Sequence, residues 1–194
     1  LSFFLIGSPT THPTNTSLEI RRCISYTTIK TRLDTAFQIM TDVAAVVAAA
    51  AGSRGIGFQG KLPWRLPGDM NHFKQVTSTP PSPDRINAVI MGRKTWDSIP
   101  SKFRPLDGRV NVILSRKGAE GVEGAEGNKF VLVAKSMEEA MEQLKSRPDH
   151  GTTFIIGGGE IYNQAMTSGL VKRVVYTNVR AYQKIPNLMP SFLK

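Results

Sequence analysis

Thr153-Phe154-Ile155-Ile156-Gly157-Gly158-Gly159-Glu160-Ile161-Tyr162 is the stretch that decides the fold. A short apolar run passes through three glycines into a helical pattern. Because the run has no polar alternation, it suits a strand covered on both faces rather than one facing water. Two other stretches share the design. Val89-Ile90-Met91-Gly92 leads into Arg93-Lys94-Thr95-Trp96, and Val112-Ile113-Leu114 ends in Ser115-Arg116-Lys117. Working outward, apolar runs at 43–51, 88–91, 110–114, 130–134, 153–156 and 173–179 predict six strands, rich in Val and Ile and bounded by Gly, Ser or Asn. The run 43–51 contains alanines that favour helix, but it is short, apolar on every side and stopped by Gly52. Helical patterns at 69–76, 94–98, 136–144 and 160–166 alternate with the strands. The third begins with a capping box, Ser136 to Glu139, and Met137, Ala140, Met141 and Leu144 form its apolar face. Alternation of this kind predicts an α/β fold, a mostly parallel central sheet with helices on both faces. The glycine-rich, acidic stretch 118–128 reads as a solvated loop.

The 194 residues allow one domain with a core, alone or with an appendage. A hydrophobic fraction of 40% and a charged fraction of 21% exclude disordered and collagen-like chains. The formal charge of +10 favours anionic partners. The bases are scattered singly, without a Lys/Arg block or an interleaved aromatic stripe, so phosphates and carboxylates of small molecules fit better than nucleic acid. Cys23 is the only cysteine, which excludes an intrachain disulfide and a CxxC metal site. His12, His72 and His150 stand far apart, so no metal is expected. No apolar run approaches the ~20 residues of a membrane helix, so no membrane partner is expected. Residues 1–40 are Ser/Thr-rich, with four bases and two acids. They read either as an organelle transit peptide or as a non-native extension upstream of Met40, and are set aside from the fold.

The glycine entries into helices can hold a pyrophosphate, since glycine allows close approach and the helix dipole favours an anion. A tight turn made for packing would look the same at Gly157 to Gly159, and the order lacks the G-x-G-x-x-G of a Rossmann site. Arg93 and Lys94 at a helix start are locally unfavourable unless an anion binds there, or they are simply solvated bases. Gly55-Ile56-Gly57-Phe58-Gln59-Gly60-Lys61-Leu62-Pro63-Trp64 is a glycine-rich loop with embedded apolar residues, fit to plug a core or to close over a ligand. Pro67 fits a helix start, placing Asp69 beside Met70 and Phe73 on neighbouring positions. The acid either favours the helix dipole or forms the base of an apolar pocket able to pair with an amide-bearing heterocycle.

The loop 55–64 with Asp69, then Gly92 to Trp96, then Arg104-Pro105-Leu106 with Gly108-Arg109, then Ile156 to Tyr162, resemble dihydrofolate reductase in order and spacing over about 140 residues. The resemblance implies a dihydrofolate reductase-like three-layer fold. It also implies NADPH-dependent reduction of 7,8-dihydrofolate to 5,6,7,8-tetrahydrofolate, with hydride passing to pterin C6 and a proton to N5. Asp69 is then the active-site acid, supported by Thr177 and Trp64. Ala49, Met70, Phe73, Ser98, Ile99, Leu106, Ile156 and Tyr162 would line the substrate pocket, and Arg109 would pair with the α-carboxylate of the glutamate tail. On the cofactor side the resemblance implies Ala49, Ile56, Gly60, Lys61 and Leu62, with Gly92 and Gly157, Gly158, Gly159, Glu160, Ile161 and Tyr162 at the pyrophosphate and nicotinamide. Arg93, Lys94, Thr95, Leu114, Ser115 and Arg116 would surround the 2′-phosphate. The peptide between Gly157 and Gly158 is similar to the family's cis bond, and 56–64 to its active-site lid.

The chain departs from the pattern after Val179, where the family continues into two antiparallel strands and residues 183–194 carry two prolines instead. The expected organisation is therefore a leader over 1–40, a reductase domain over 41–182 with its last antiparallel strands missing, and a divergent tail over 183–194. Loss of those strands would leave an apolar edge. A truncated, non-catalytic product is the alternative to an enzyme. A riboflavin-pathway pyrimidine reductase shares fold and cofactor, but Leu62-Pro63-Trp64 with Asp69 favours a pterin. Thymidylate synthase, fused or associated, is the expected protein partner. The expected compartment is the cytoplasm, or a mitochondrion or plastid if 1–40 is a transit peptide.

Overall fold

The computed structural model describes residues 42–51, 53–58, 62 and 64–180, together with the backbone of a strand at 20–23. Among the described residues there are seven strands, β1 (Ile20–Cys23), β2 (Val43–Ala50), β3 (Ile86–Gly92), β4 (Arg109–Leu114), β5 (Val131–Ala134), β6 (His150–Gly157) and β7 (Arg173–Val179). The helices are α1 (Pro67–Ser78), α2 (Arg93–Ser98), α3 (Met137–Lys145) and α4 (Gly159–Thr167). One sheet contains all the strands, in the order β1-β7-β2-β6-β3-β4-β5. β2 to β7 run parallel, as the alternation predicts.

The strands form because their side chains are buried on both sides. Ala44 and Ala49 of β2 are fully buried and Val43 to Val47 lie in the core, so tertiary burial overrides the helical preference of the alanines. One layer of the core packs α1 and α2 residues, Phe73, Val76 and Trp96, on Val89, Met91 and Phe154. The other packs Met137, Ala140, Met141 and Leu144 of α3 and Tyr162 and Ala165 of α4 on Val43, Ile90, Val112 and Ile155. Ser136 caps α3, its hydroxyl accepting the Glu139 N–H at 3.2 Å. Glu139 in return accepts the N–H of Lys135 at 2.8 Å, one residue before the cap.

Two features of the sheet position the site. β6 follows β5 in the chain but lies between β2 and β3, so the direction of winding reverses there, where α/β proteins place their ligands. β2 also parts from β6. Their pairing ends at Ala45 opposite Ile155, while β2 stays with β7 as far as Ala50 opposite Val179, and β6 stays with β3 as far as Gly157 opposite Met91. Beyond Ala45 the sheet is split, and Tyr162 donates its hydroxyl across the opening to the carbonyl of Val46 at 2.6 Å.

β1 lies within the segment set aside as a leader. It pairs antiparallel with the outer edge of β7, Ile20 opposite Val179 and Cys23 opposite Tyr176, so the C-terminal half of β7 is not a sheet edge. Residues 181–194, including the tail expected to depart from the pattern, lie outside the described residues, as does the rest of 1–40 apart from β1.

Candidate active site

α1 starts at Pro67, with Leu66 as its N-cap, and this places Asp69 in the first turn. The side chain is 5% exposed. Burial penalises its charged form and holds the carboxyl above the usual aspartate range. Hydrogen bonding from Thr177 opposes that rise, followed by the charge of His72 and by the Trp64 indole. The Trp64 Nε1 is buried and, among the described residues, has no hydrogen-bond partner of full geometry, so it stands as a spare buried donor close to the acid. Thr177 comes from β7, so the acid on α1 and the hydroxyl that acts on it belong to different elements.

Asp69, Phe73 and Thr77 follow at intervals of four and share one face of α1. Asp69 and Thr77 are buried, and Phe73 packs on the core beside Ile99, Leu106 and Ile156. Met70, expected to share this apolar surface, is 44% exposed, because one residue turns the helix by about 100° away from Asp69. At the far end Arg109 is buried at the start of β4. Its Nη1 donates to Thr77 Oγ1 at 2.7 Å, its Nε to the Asp107 carbonyl at 3.0 Å, and its guanidinium lies 5.8 Å from the centre of the Phe73 ring. Burial lowers its pKa, with the charge of Asp107 opposing. Among the described residues no carboxylate is within ion-pair distance of it. A buried guanidinium held only by neutral oxygens is complementary to an anion. Eight residues of helix separate Asp69 from Thr77, about 12 Å at 1.5 Å per residue. Acid and base therefore mark the two ends of one buried face of α1.

The loop before β4 is shaped by Asn111, fully buried, which accepts the Leu106 N–H at 2.9 Å and donates to the carbonyls of Leu106 and Arg109. The Arg104–Pro105 peptide in this loop is cis. Ser98 is exposed and donates its hydroxyl to the Thr95 carbonyl.

The glycine junctions meet at the other side of the split. A Cβ on Gly92 would lie 3.1 Å from the Ile161 side chain, and one on Gly158 would lie 3.3 Å from Thr95 Oγ1. The starts of α2 and α4 are therefore neighbours. Among the described residues neither has a side-chain cap. The Gly157–Gly158 peptide is cis, and Gly157 has φ +122°, a conformation that glycine alone adopts readily. Leu114 is opposite Gly92 in the ladder, which brings the third junction, buried Ser115 and exposed Arg116, alongside. Lys94 and Glu160 are exposed, and Arg93 pairs with Asp97 at 3.6 Å. Tyr162 is buried beneath Gly157 with its hydroxyl on Val46, and burial raises its pKa beyond the ordinary tyrosine range. Ala49 is fully buried in β2, and Ile56 packs on the core. Leu62 is 50% exposed, and Gly60 and Lys61 lie outside the described residues.

The structure thus gathers Asp69, Thr177, Trp64, Phe73 and Arg109 on the α1 side and Gly92, Thr95, Gly158 and Ile161 at the glycine junctions. Thr77 and Asn111 are additions. Thr77 was accessible from the spacing, two steps of four beyond Asp69. Asn111, hidden in an apolar strand, gave no comparable signal.

The family model described as dihydrofolate reductase matches residues 43–194. The chain is 44% identical over 148 residues to the bifunctional dihydrofolate reductase-thymidylate synthase of Daucus carota, covering 75% of this chain and 28% of that protein. It is 42% identical over 153 residues to the dihydrofolate reductase of Candida albicans, covering 79% of this chain and 76% of that one. The match to the Saccharomyces cerevisiae dihydrofolate reductase is 44% over 124 residues, covering 63% and 58%. The chain thus spans little more than a quarter of the length of the bifunctional relatives and most of the length of the Candida protein.

Proposed function

The chain belongs to the dihydrofolate reductase family, and on that premise we propose that it reduces 7,8-dihydrofolate to 5,6,7,8-tetrahydrofolate with NADPH, adding hydride at pterin C6 and a proton at N5. The observation that carries this reading is the pairing of a buried acid, Asp69, with a buried base, Arg109, about two helical turns apart along α1 with the Phe73 ring between them. An amide-bearing heterocycle at one end and a carboxylate at the other, joined by an aromatic ring, has the matching chemistry.

Asp69 accepts from the pterin amino group and ring nitrogen, and burial, which raises its pKa, favours proton uptake there relative to an exposed aspartate. Thr177 orients it, and Trp64 supplies a buried donor at the same place. Phe73, Ile99, Leu106 and Ile156 hold the aromatic part, and Arg109, fixed by Thr77, takes the α-carboxylate.

The glycine junctions fit a dinucleotide: Gly92 and Gly158 let two helix starts without side-chain caps come together, where backbone N–H groups suit a pyrophosphate, and Arg93, Lys94, Ser115 and Arg116 supply cations and a hydroxyl for a 2′-phosphate. When bound, the reduced nicotinamide supplies the hydride, and the protein contributes orientation and exclusion of water. The apolar residues embedded in the glycine-rich stretch 55–64 support its reading as the lid of the site. The names of the plant relatives support a thymidylate synthase, fused or associated, as partner.

The test is the absorbance of NADPH with purified protein. Its loss requires dihydrofolate, and Asp69→Asn lowers turnover by roughly 10²–10⁴-fold, the usual worth of a positioned proton donor. Equal rates in the two proteins would refute the role of Asp69.

A further inference from the structure

β7 carries Thr177, the residue that supports Asp69, and is the last parallel strand on its side of the sheet. Its inner edge is paired with β2 along its whole length, Ala44 opposite Arg173 through Ala50 opposite Val179. Left open, its outer edge would expose unpaired N–H and C=O groups beside the site, a template for association with other chains. The antiparallel register instead puts Ile20, Arg21, Arg22 and Cys23 opposite Val179, Asn178, Thr177 and Tyr176. The ladder thus covers the half of β7 that contains Thr177 and the buried Val179. Four residues with two arginines also make a poor template for a further strand, which suits an outermost position.

We infer that Ile20–Cys23 is an integral strand of the domain, which seals β7 and braces Thr177 against Asp69, and is therefore retained in the working protein rather than shed with a leader. The bracing rests on the reading of Asp69 given above; the docking of the strand does not. Arg22 is the residue opposite Thr177, so loosening the ladder there frees the backbone that aims the hydroxyl.

Alternate N–H groups of a strand face its neighbour, so of two successive residues one donates to β7 and the other points outward. Proline removes the donor and is tolerated on an edge strand only where the N–H faces away. The experiment measures amide hydrogen exchange in the full chain and in Arg21→Pro, Arg22→Pro and the two matching alanine variants, reading Tyr176 to Val179 against Val110 to Leu114 of β4. One proline should speed exchange in the outer amides of β7 by at least about tenfold. The other proline and both alanines should leave them protected. Collapse of protection in β4 as well, with the alanine variants intact, equally supports an integral strand. Unchanged exchange in both proline variants overturns the inference. Exchange needs no turnover, so a chain inactive on dihydrofolate still tests docking. In an active chain the disruptive proline should move the pH limb of turnover upward, in the same direction as Thr177→Val, because Thr177 favours the charged carboxylate. A β7 that opens while the limb stays fixed overturns the bracing of Thr177.

Discussion

Arg109→Met should separate substrate binding from chemistry. Arg109 is 4% exposed, and its hydrogen bonds run to the neutral oxygens of Thr77 and Asp107. Methionine keeps much of its length and removes the charge. A hydrogen bond to a charged group contributes about 1.5–3 kcal/mol, which at about 1.4 kcal/mol per tenfold corresponds to a roughly 10- to 150-fold rise in KM for dihydrofolate. The contact is the same in ground and transition states, so kcat should hold. Removing a buried cation that has no acidic partner strands no opposite charge, so the large destabilisation that follows from breaking a buried ion pair does not arise. Thr77 also keeps a bond of its own, to the Phe73 carbonyl at 2.7 Å, so unfolding does not account for the loss. The assay is steady-state kinetics with dihydrofolate and with a dihydropterin that lacks the glutamate tail, on both proteins. The substitution should be nearly silent on the shortened substrate. An equal loss on both substrates, or a loss in kcat alone, would refute the assignment of Arg109 to the tail.

Asp69→Asn should alter stability with a definite sign. The carboxyl is held above its ordinary value of 3.8 by burial, so its contribution to stability is full below that value and declines as pH rises through the folded pKa. The asparagine variant should therefore gain on the parent from near pH 3.8 upward, levelling off above the folded pKa; denaturant melts that differ by a constant amount at all pH values would contradict this. Tyr162→Phe should lower stability by about 1–3 kcal/mol, because the buried Val46 carbonyl loses the donor that crosses the split in the sheet. Thermal unfolding indistinguishable from the parent would show that the carbonyl finds another partner.

The six parallel strands and four helices were legible because each is a local pattern: apolar runs bounded by turn residues, and helices with a cap or an apolar face. Boundaries moved by a residue or two, as where the strand expected from Phe130 begins at Val131, and by three at the start of β6, expected at Thr153 and found at His150. β1 was not legible. Ile-Arg-Arg-Cys has no apolar alternation, and its pairing is made with residues more than 150 positions away. Side-chain direction was the second limit. Spacing placed Asp69 and Phe73 together, but not the turn of Met70 into solvent, nor Tyr162 beneath the sheet with its hydroxyl on Val46. Arg109 was found through the resemblance, whereas its seat on Thr77 needed the tertiary fold.

The position of β6 has a consequence for how the molecule comes into being. A growing chain that has emerged as far as α3 possesses β2, β3, β4 and β5, yet the strand that belongs between the first two has not been made. One partial sheet, β3-β4-β5, and an unpaired β2 must wait for the late arrival of β6 and β7, and the glycine turn of β6 meets that of β3 only then. Such distant pairings slow folding, and a nascent chain cut short before residue 150 would lack the strand that joins β2 to the rest of the sheet.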